Sequence, residues 1–157
     1  MTEHIRVLVV DDSAFMRNAL SREICSDPRF MVVGTACDGR EGVEKALDLQ
    51  PDVITLDVVM PVQGGLDALQ QLTERSSAAV IMVSSTTEAG AKITLEALSL
   101  GAIDFIPKCR CTSLLHDKLI AAASARRARL KAVTQQQAQN GPAEAMSVPK
   151  GFAAKAV

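Results

Sequence analysis

The sequence predicts an α/β fold: a doubly wound, five-stranded parallel sheet in the order 2-1-3-4-5 with helices on both faces. Five short apolar runs, IRVLVV (5–10), MVVGTA (31–36), DVITL (52–56), AVIMV (79–83) and AIDFI (102–106), alternate with helix-like segments. Regular βα alternation implies a parallel sheet covered by helices, and runs that stay apolar throughout suit strands buried on both faces. With right-handed crossovers, this order makes the first and third strands neighbours. Asp11, Asp12 and Asp57 directly follow those two runs. They would gather at one edge of the sheet, where ligand chemistry in open α/β sheets takes place.

The first helix is expected just after Asp12 with Ser13 as its cap; Met16, Leu20 and Ile24 share one face, and it ends near Asp27-Pro28. The second opens near Asp38-Gly39, carries Val43, Ala46 and Leu47 at helical spacing, and stops before Gln50-Pro51. The third follows the Gly64-Gly65 turn and bears Leu66, Leu69 and Leu72. A fourth is expected from about Glu88 to Leu100, marked by Ala91, Leu95 and Leu98, with Gly101 as its stop. The fifth, from about Thr112 to Val133, places Leu115, Leu119, Ile120 and Ala123 on one stripe. It finishes in Arg126, Arg127, Arg129 and Lys131, cations that suit a helix C-terminus and read as a solvated end. From Thr134 onward periodicity is lost, so residues 1–133 are expected to form one domain and 134–157 a flexible linker or tail.

A chain of 157 residues can bury an adequate core without disulfides or structural metal. A formal charge of -1 and the lack of Trp and Tyr leave no footprint for nucleic acid. Cys25, Cys37, Cys109 and Cys111 lack paired C-x-x-C spacing, and only the distant His4 and His116 could help the CRC at 109–111 hold metal. They read as reduced thiols. No signal peptide precedes the first run and no apolar stretch approaches the ~20 residues of a membrane span, so a cytoplasmic protein without membrane insertion is expected.

Three carboxylates crowded at one edge repel one another unless a cation or proton relieves them, which suggests a divalent metal. The same edge should receive Ser84 and Ser85 after the fourth run and Lys108 after the fifth. Acids, a hydroxyl and a lysine together suit phosphoryl chemistry. Magnesium usually takes one or two carboxylates, leaving another free as nucleophile, while a lysine and a serine can meet charge on the equatorial oxygens of the transferring group.

These residues also carry a resemblance. VLVVDDS, TLDVVMP, MVSS and IPK resemble the receiver domain of two-component response regulators, a flavodoxin-like fold. VVDDSAFMR, SDPRFMVVGTACDG, PDVITLDVVMP, VIMVSSTTEAGA and LEALSLGAIDFIPK are similar to the regulatory domain of the chemotaxis protein-glutamate methylesterase (CheB) family, nearly continuously from residue 5 to about 133. The resemblance implies that Asp57 accepts a phosphoryl group from a histidine kinase. It implies that Asp12, with Asp11 mostly through water, holds Mg²⁺ alongside Asp57 and the backbone carbonyl of Val59. Ser84 would bond the phosphoryl group, Lys108 would pair with it, and Phe105 would be the switch aromatic. Phosphorylation would favour one of two surface arrangements near the fourth helix and fifth strand.

The chain departs from that pattern at three positions. Val59 stands where a polar side chain is frequent, Cys109 replaces the proline that commonly follows the lysine through a cis bond, and Gly64 removes a side-chain cap from the third helix. A haloacid-dehalogenase-like phosphatase would need D-x-D rather than adjacent Asp11-Asp12, and a dinucleotide-binding module would need G-x-G-x-x-G after the first strand. Within the resemblance, the chain is the regulatory half of a methylesterase, with its effector domain in cis and a chemoreceptor complex as partner, or a stand-alone receiver acting as a binding adaptor. Residues 134–157 contain no hydrolase triad or G-x-S-x-G, so only autocatalytic phosphorylation and dephosphorylation is expected of this chain.

Overall fold

The computed structural model describes residues 3–60, 62–85, 90–108 and 111–156, with side chains for all of these except 90, 91, 111–113 and 138–156. Strands and helices alternate strictly: β1 (Ile5–Val10), α1 (Ala14–Cys25), β2 (Phe30–Ala36), α2 (Gly39–Leu49), β3 (Val53–Asp57), α3 (Gly65–Arg75), β4 (Ala79–Ser84), α4 (Gly90–Ser99), β5 (Asp104–Pro107) and α5 (Cys111–Ala156). The sheet order is β2-β1-β3-β4-β5, with every pairing parallel. This is the doubly wound fold that the sequence predicts.

The continuous apolar runs are explained by alternation of side chains across the sheet. Leu8, Val10, Ile54, Leu56, Val80 and Met82 face a layer built with Val43 and Ala46 of α2, Ala68, Leu69 and Leu72 of α3, and Ala97 of α4. Val7, Val9, Val53, Ala79, Ile81, Val83 and Ile106 face the opposite layer, with Leu20 and Ile24 of α1 and Leu115, Leu119, Ala122 and Ala123 of α5. Burial on both faces supplies the dominant favourable contribution to folding.

The helix ends follow local chemistry. Ser13 accepts a bond from the Met16 amide and Asp38 from the Glu41 amide, each satisfying a donor that the helix itself leaves open. Gly64 begins α3 without a side-chain bond. Gly101 closes α4 at φ +114, where a Cβ would also meet Thr73 at 2.8 Å.

Four expectations shift. On α4 the inward residues are Ala97 and Ile93, whereas Leu95 is 69% exposed and Leu98 is also exposed. ITLEALSL is apolar on two sides, and the small Ala97 packs closely where a leucine spacing suggested otherwise; the Ala91 side chain lies outside the described residues. β5 begins at Asp104 instead of Ala102, and β2 at Phe30 instead of Met31. The last helix, expected to end near Val133, runs on to Ala156; the segment after Val133 is rich in Gln and Ala, which favour helix, although it also contains Gly141, Pro142, Pro149 and Gly151, which do not. The chain divides into two units after Arg126. The first holds the sheet and its layers; the second, Arg127–Val157, contains the distal part of α5 up to Ala156. No described helix is long and apolar enough to cross a membrane.

Candidate functional site: an acidic cluster at the C-terminal edge of the sheet

The parallel register sets the site. Val10 pairs with Leu56, so the next residues, Asp11 and Asp57, continue side by side where β1 and β3 end. Strand alternation puts both on the side of Val9 and Thr55, the α1/α5 face. Carboxylate oxygens of Asp11, Asp12 and Asp57 lie within 4.8 Å of one another. Asp11 and Asp57 are buried, whereas Asp12 is exposed. Lys108, directly after β5 and in phase with Ile106, brings its Nζ to 2.9 Å from Asp11 Oδ2 and 3.4 Å from Asp57 Oδ2.

Asp11 is tied down at several atoms. Its amide donates to Ala36 O at 3.0 Å, its Oδ1 accepts from the Ser13 amide at 2.9 Å, and its carbonyl accepts from Arg17 Nη1 at 2.8 Å. Oδ2 has the lysine ammonium at ion-pair distance, yet no donor aligned with it as a hydrogen bond. A buried carboxylate oxygen held only by charge can accept a cation's coordination.

The electrostatics point the same way. Burial and then the Asp11 charge push the Asp57 carboxyl up from 3.8 to about 6, and Lys108 only partly offsets them. Burial works against the Lys108 ammonium, but its close ion pair with Asp11 and the charge of Asp57 outweigh burial and hold its pKa above the usual lysine value. One lysine therefore does not neutralise the cluster. The residues fit a hard dication, which prefers oxygen ligands of this kind.

Ser84 ends β4 and is buried; it pairs in register with Pro107, and Val83 beside it pairs with Asp57. Phe105 is half-buried, pairs with Met82 and packs against the layer under α2, α3 and α4. Ser84 and Phe105 thus alternate onto the α4 face, opposite the acids. Val59 follows Asp57 by two residues, and its side chain is 66% exposed. Ser85 is exposed. Cys109 and the peptide bond joining it to Lys108 lie outside the described residues.

Some contributors carried no obvious sequence signal. Gly65 lets α3 start directly against β3, since a Cβ there would collide with the Asp57 carbonyl; its position after a turn glycine was the available hint. Arg17 lies within VVDDSAFMR but carried no role of its own in the sequence. A second group, Cys37, Asp38 and Glu41, also offers ligand atoms within 4.8 Å. Those atoms engage one another: Asp38 caps α2, and Glu41 accepts from Cys37 at 3.1 Å while pairing with Lys45 at 2.9 Å. The bond to Glu41 and then burial raise the Cys37 thiol pKa, which disfavours the reactive thiolate.

Comparison with known proteins agrees with this geometry. Residues 7–120 match the response regulator receiver domain family. The chain is 46% identical over 156 residues to a protein-glutamate methylesterase/protein-glutamine glutaminase of Symbiobacterium thermophilum, covering 94% of this chain and 43% of that protein. It is 59% identical over 104 residues to the Thermotoga maritima protein of the same description, covering 66% of this chain and 30% of that one. The chain therefore spans less than half the length of these curated relatives. Among solved structures, the response regulator domain of Thermotoga maritima CheB superposes with a TM-score of 0.74 at 48% identity, covering 78% of this chain and 98% of that one. The CheX-CheY-BeF3-Mg+2 complex from Borrelia burgdorferi gives a TM-score of 0.62 at 34% identity over 66% of this chain and 78% of the other. With the acids, lysine and sheet order in place, the chain belongs to the response regulator receiver domain family, and it is similar to the receiver domain of CheB.

Proposed function

We propose that this domain is a phosphorylation switch in which Asp57 accepts a phosphoryl group from a chemotaxis-type histidine kinase in the presence of Mg²⁺. The observation that carries this reading is the convergence of the Asp11, Asp12 and Asp57 carboxylates within 4.8 Å, with Lys108 between Asp11 and Asp57. Asp11, Asp12, Asp57 and the Val59 carbonyl would hold the metal. Mg²⁺ supplies charge that offsets the crowded carboxylates and the incoming phosphoryl oxygens. A neighbour of the same fold is described as a complex with BeF3 and Mg+2, and beryllofluoride is the probe we carry over.

Asp57 attacks through a carboxylate oxygen. An O–P bond forms as the P–N bond of a phosphohistidine breaks, and the electron pair stays on the imidazole nitrogen. Lys108 pairs with the phosphoryl oxygens and Ser84 donates its hydroxyl to one of them. Drawing Ser84 toward Asp57 opens space on the α4 face, and Phe105 responds on that face. Leu95 and Leu98, with Ile103, form exposed apolar surface there, which supports an output interface beside α4 and β5.

The natural context is the regulatory half of a chemotaxis methylesterase in the cytoplasm. Its effector domain acts in cis, its receptors lie in the chemoreceptor complex, and residues 134–157 lead toward the effector. The similarity to the S. thermophilum methylesterase over 94% of this chain favours this over a stand-alone binding adaptor. The chain's own chemistry is gain and loss of the Asp57 phosphoryl group.

The test is uptake of beryllofluoride, or of phosphate from acetyl phosphate, with and without Mg²⁺. Wild type takes up one equivalent only with the metal, and Asp57→Asn takes up none. Equal uptake by the variant overturns the assignment. Turnover of simple phosphate esters would point instead to a phosphatase.

A further inference from the structure

We infer that Arg17 is a positioning residue for the metal-binding carboxylates, acting on the peptide group that joins Asp11 to Asp12. The inference rests on the metal-site reading above and extends it to a residue outside the acid cluster. Arg17 Nη1 donates to the Asp11 carbonyl at 2.8 Å. That carbonyl belongs to the peptide linking the two adjacent aspartates, so its orientation governs how their carboxylates are presented relative to each other.

Asp11 is anchored by its amide, its Oδ1 and Lys108 as well. Asp12, by contrast, is exposed, and its placement depends on the backbone that Arg17 holds. A planar guanidinium gives a directional bond to a carbonyl and keeps its charge at any working pH.

Arg17 is badly placed for simple helix stabilisation. It is the fourth residue of α1, and its amide closes the first turn onto Ser13 O at 2.9 Å. A cation there opposes the positive end of the helix dipole. Its half-buried side chain reaches back out of the helix to the sheet edge. The carbonyl bond and the nearby carboxylates give that placement a reason that helix stability does not.

Charge and position make opposite predictions here. Removing a cation near a Mg²⁺ site should by itself tighten metal binding, because like charges repel. Losing a group that orients ligands should weaken it, typically by about 10-fold or more.

The experiment is Mg²⁺ titration of the isotope-labelled 157-residue chain, followed by amide NMR, for wild type, Arg17→Met, Arg17→Lys and Arg17→Gln. Thermal unfolding of each variant is recorded in parallel. We expect Arg17→Met to bind Mg²⁺ about 10-fold more weakly, with the Asp12 amide shift displaced before any metal is added. Arg17→Lys should recover part of the affinity and of the shift. Should Arg17→Met fail to fold, Arg17→Gln, a shorter and uncharged donor, is expected to show the weaker binding and the displaced shift.

Unchanged or tighter Mg²⁺ binding in the folded variants, with wild type binding normally, overturns the positioning role alone. A fall in melting temperature with no change in affinity also overturns it, leaving a merely structural arginine. Absence of Mg²⁺ binding by wild type overturns the metal-site reading, and the role of Arg17 with it.

Discussion

The two ends of strand β3 carry aspartates with opposite circumstances. At the N-terminal end, Asp52 is well served: Oδ2 accepts from the Arg6 amide at 2.9 Å and Oδ1 from Arg126 Nη1 at 3.0 Å. Its own amide and carbonyl bond Arg6 and Ala79. Arg126 also donates to the Ser77 carbonyl and hydroxyl. At the C-terminal end, Asp57 is buried beside Asp11 with one lysine between them at 3.4 Å from its oxygen, and its carboxyl is pushed up to about 6. Five residues apart, one acid ties elements together while the other stores unfavourable charge. Unrelieved charge of this kind is what a switch requires, because a bound cation or a covalent phosphoryl group then changes the energetics.

The largest effect expected on this contrast comes from Asp57→Asn. The folded pKa of Asp57 is raised from 3.8 to about 6. Below about pH 4 the folded and unfolded chains both hold the proton and the group costs nothing. As pH rises toward 6 the unfolded chain releases its proton first, so stability falls, and the loss is complete above about pH 6. In Mg²⁺-free buffer at pH 8, Asp57→Asn should therefore be more stable than wild type by up to about 3 kcal/mol, with the gap closing near pH 4. Urea unfolding at both pH values measures this, and a variant no more stable at pH 8 would break the contrast.

Asp52→Ala should act in reverse, lowering stability by about 2 kcal/mol through the unpaired Arg126 and the lost bond to Arg6. Beryllofluoride uptake should stay within about twofold of wild type, a ratio worth about 0.4 kcal/mol. A collapse of uptake in a folded Asp52→Ala would show that the two ends are not independent. Between them, Thr55 buries a hydroxyl with no hydrogen-bond partner. Thr55→Val should gain about 1 kcal/mol, measured as a shifted urea midpoint. The smallest effect belongs to Val59→Glu, beside the site and exposed. It should alter the lifetime of the Asp57 phosphoryl group a few-fold, equivalent to less than about 1 kcal/mol in the barrier. Identical decay rates would remove Val59 from the chemistry.

Much of the C-terminal edge was legible because it is written locally. Apolar runs announce strands, and whatever follows a strand stands at its end, so Asp11, Asp12, Asp57, Ser84 and Lys108 could be assembled from order alone. The N-terminal edge was not legible, since Asp52 and Arg126 are 74 residues apart and nothing in either neighbourhood names the other. Arg17 was hidden for a related reason: its backbone belongs to α1 while its side chain works behind the helix. The inward side of α4 failed through ambiguity, because Ile93 and Ala97 compete with Leu95 and Leu98 in one short segment.

Alternation along the strands leaves a final consequence. Asp11, Asp57 and Lys108 project to the α1/α5 side, whereas Ser84 and Phe105 project to the α4 side. On the function proposed above, the sheet would be a partition, with the phosphoacceptor cluster on one side and Phe105 on the other, and with Ser84 joining them at the rim. Descendants of such a fold can redraw the readout surface residue by residue while the reaction stays untouched. One phosphorylation reaction can thereby be wired to many different outputs.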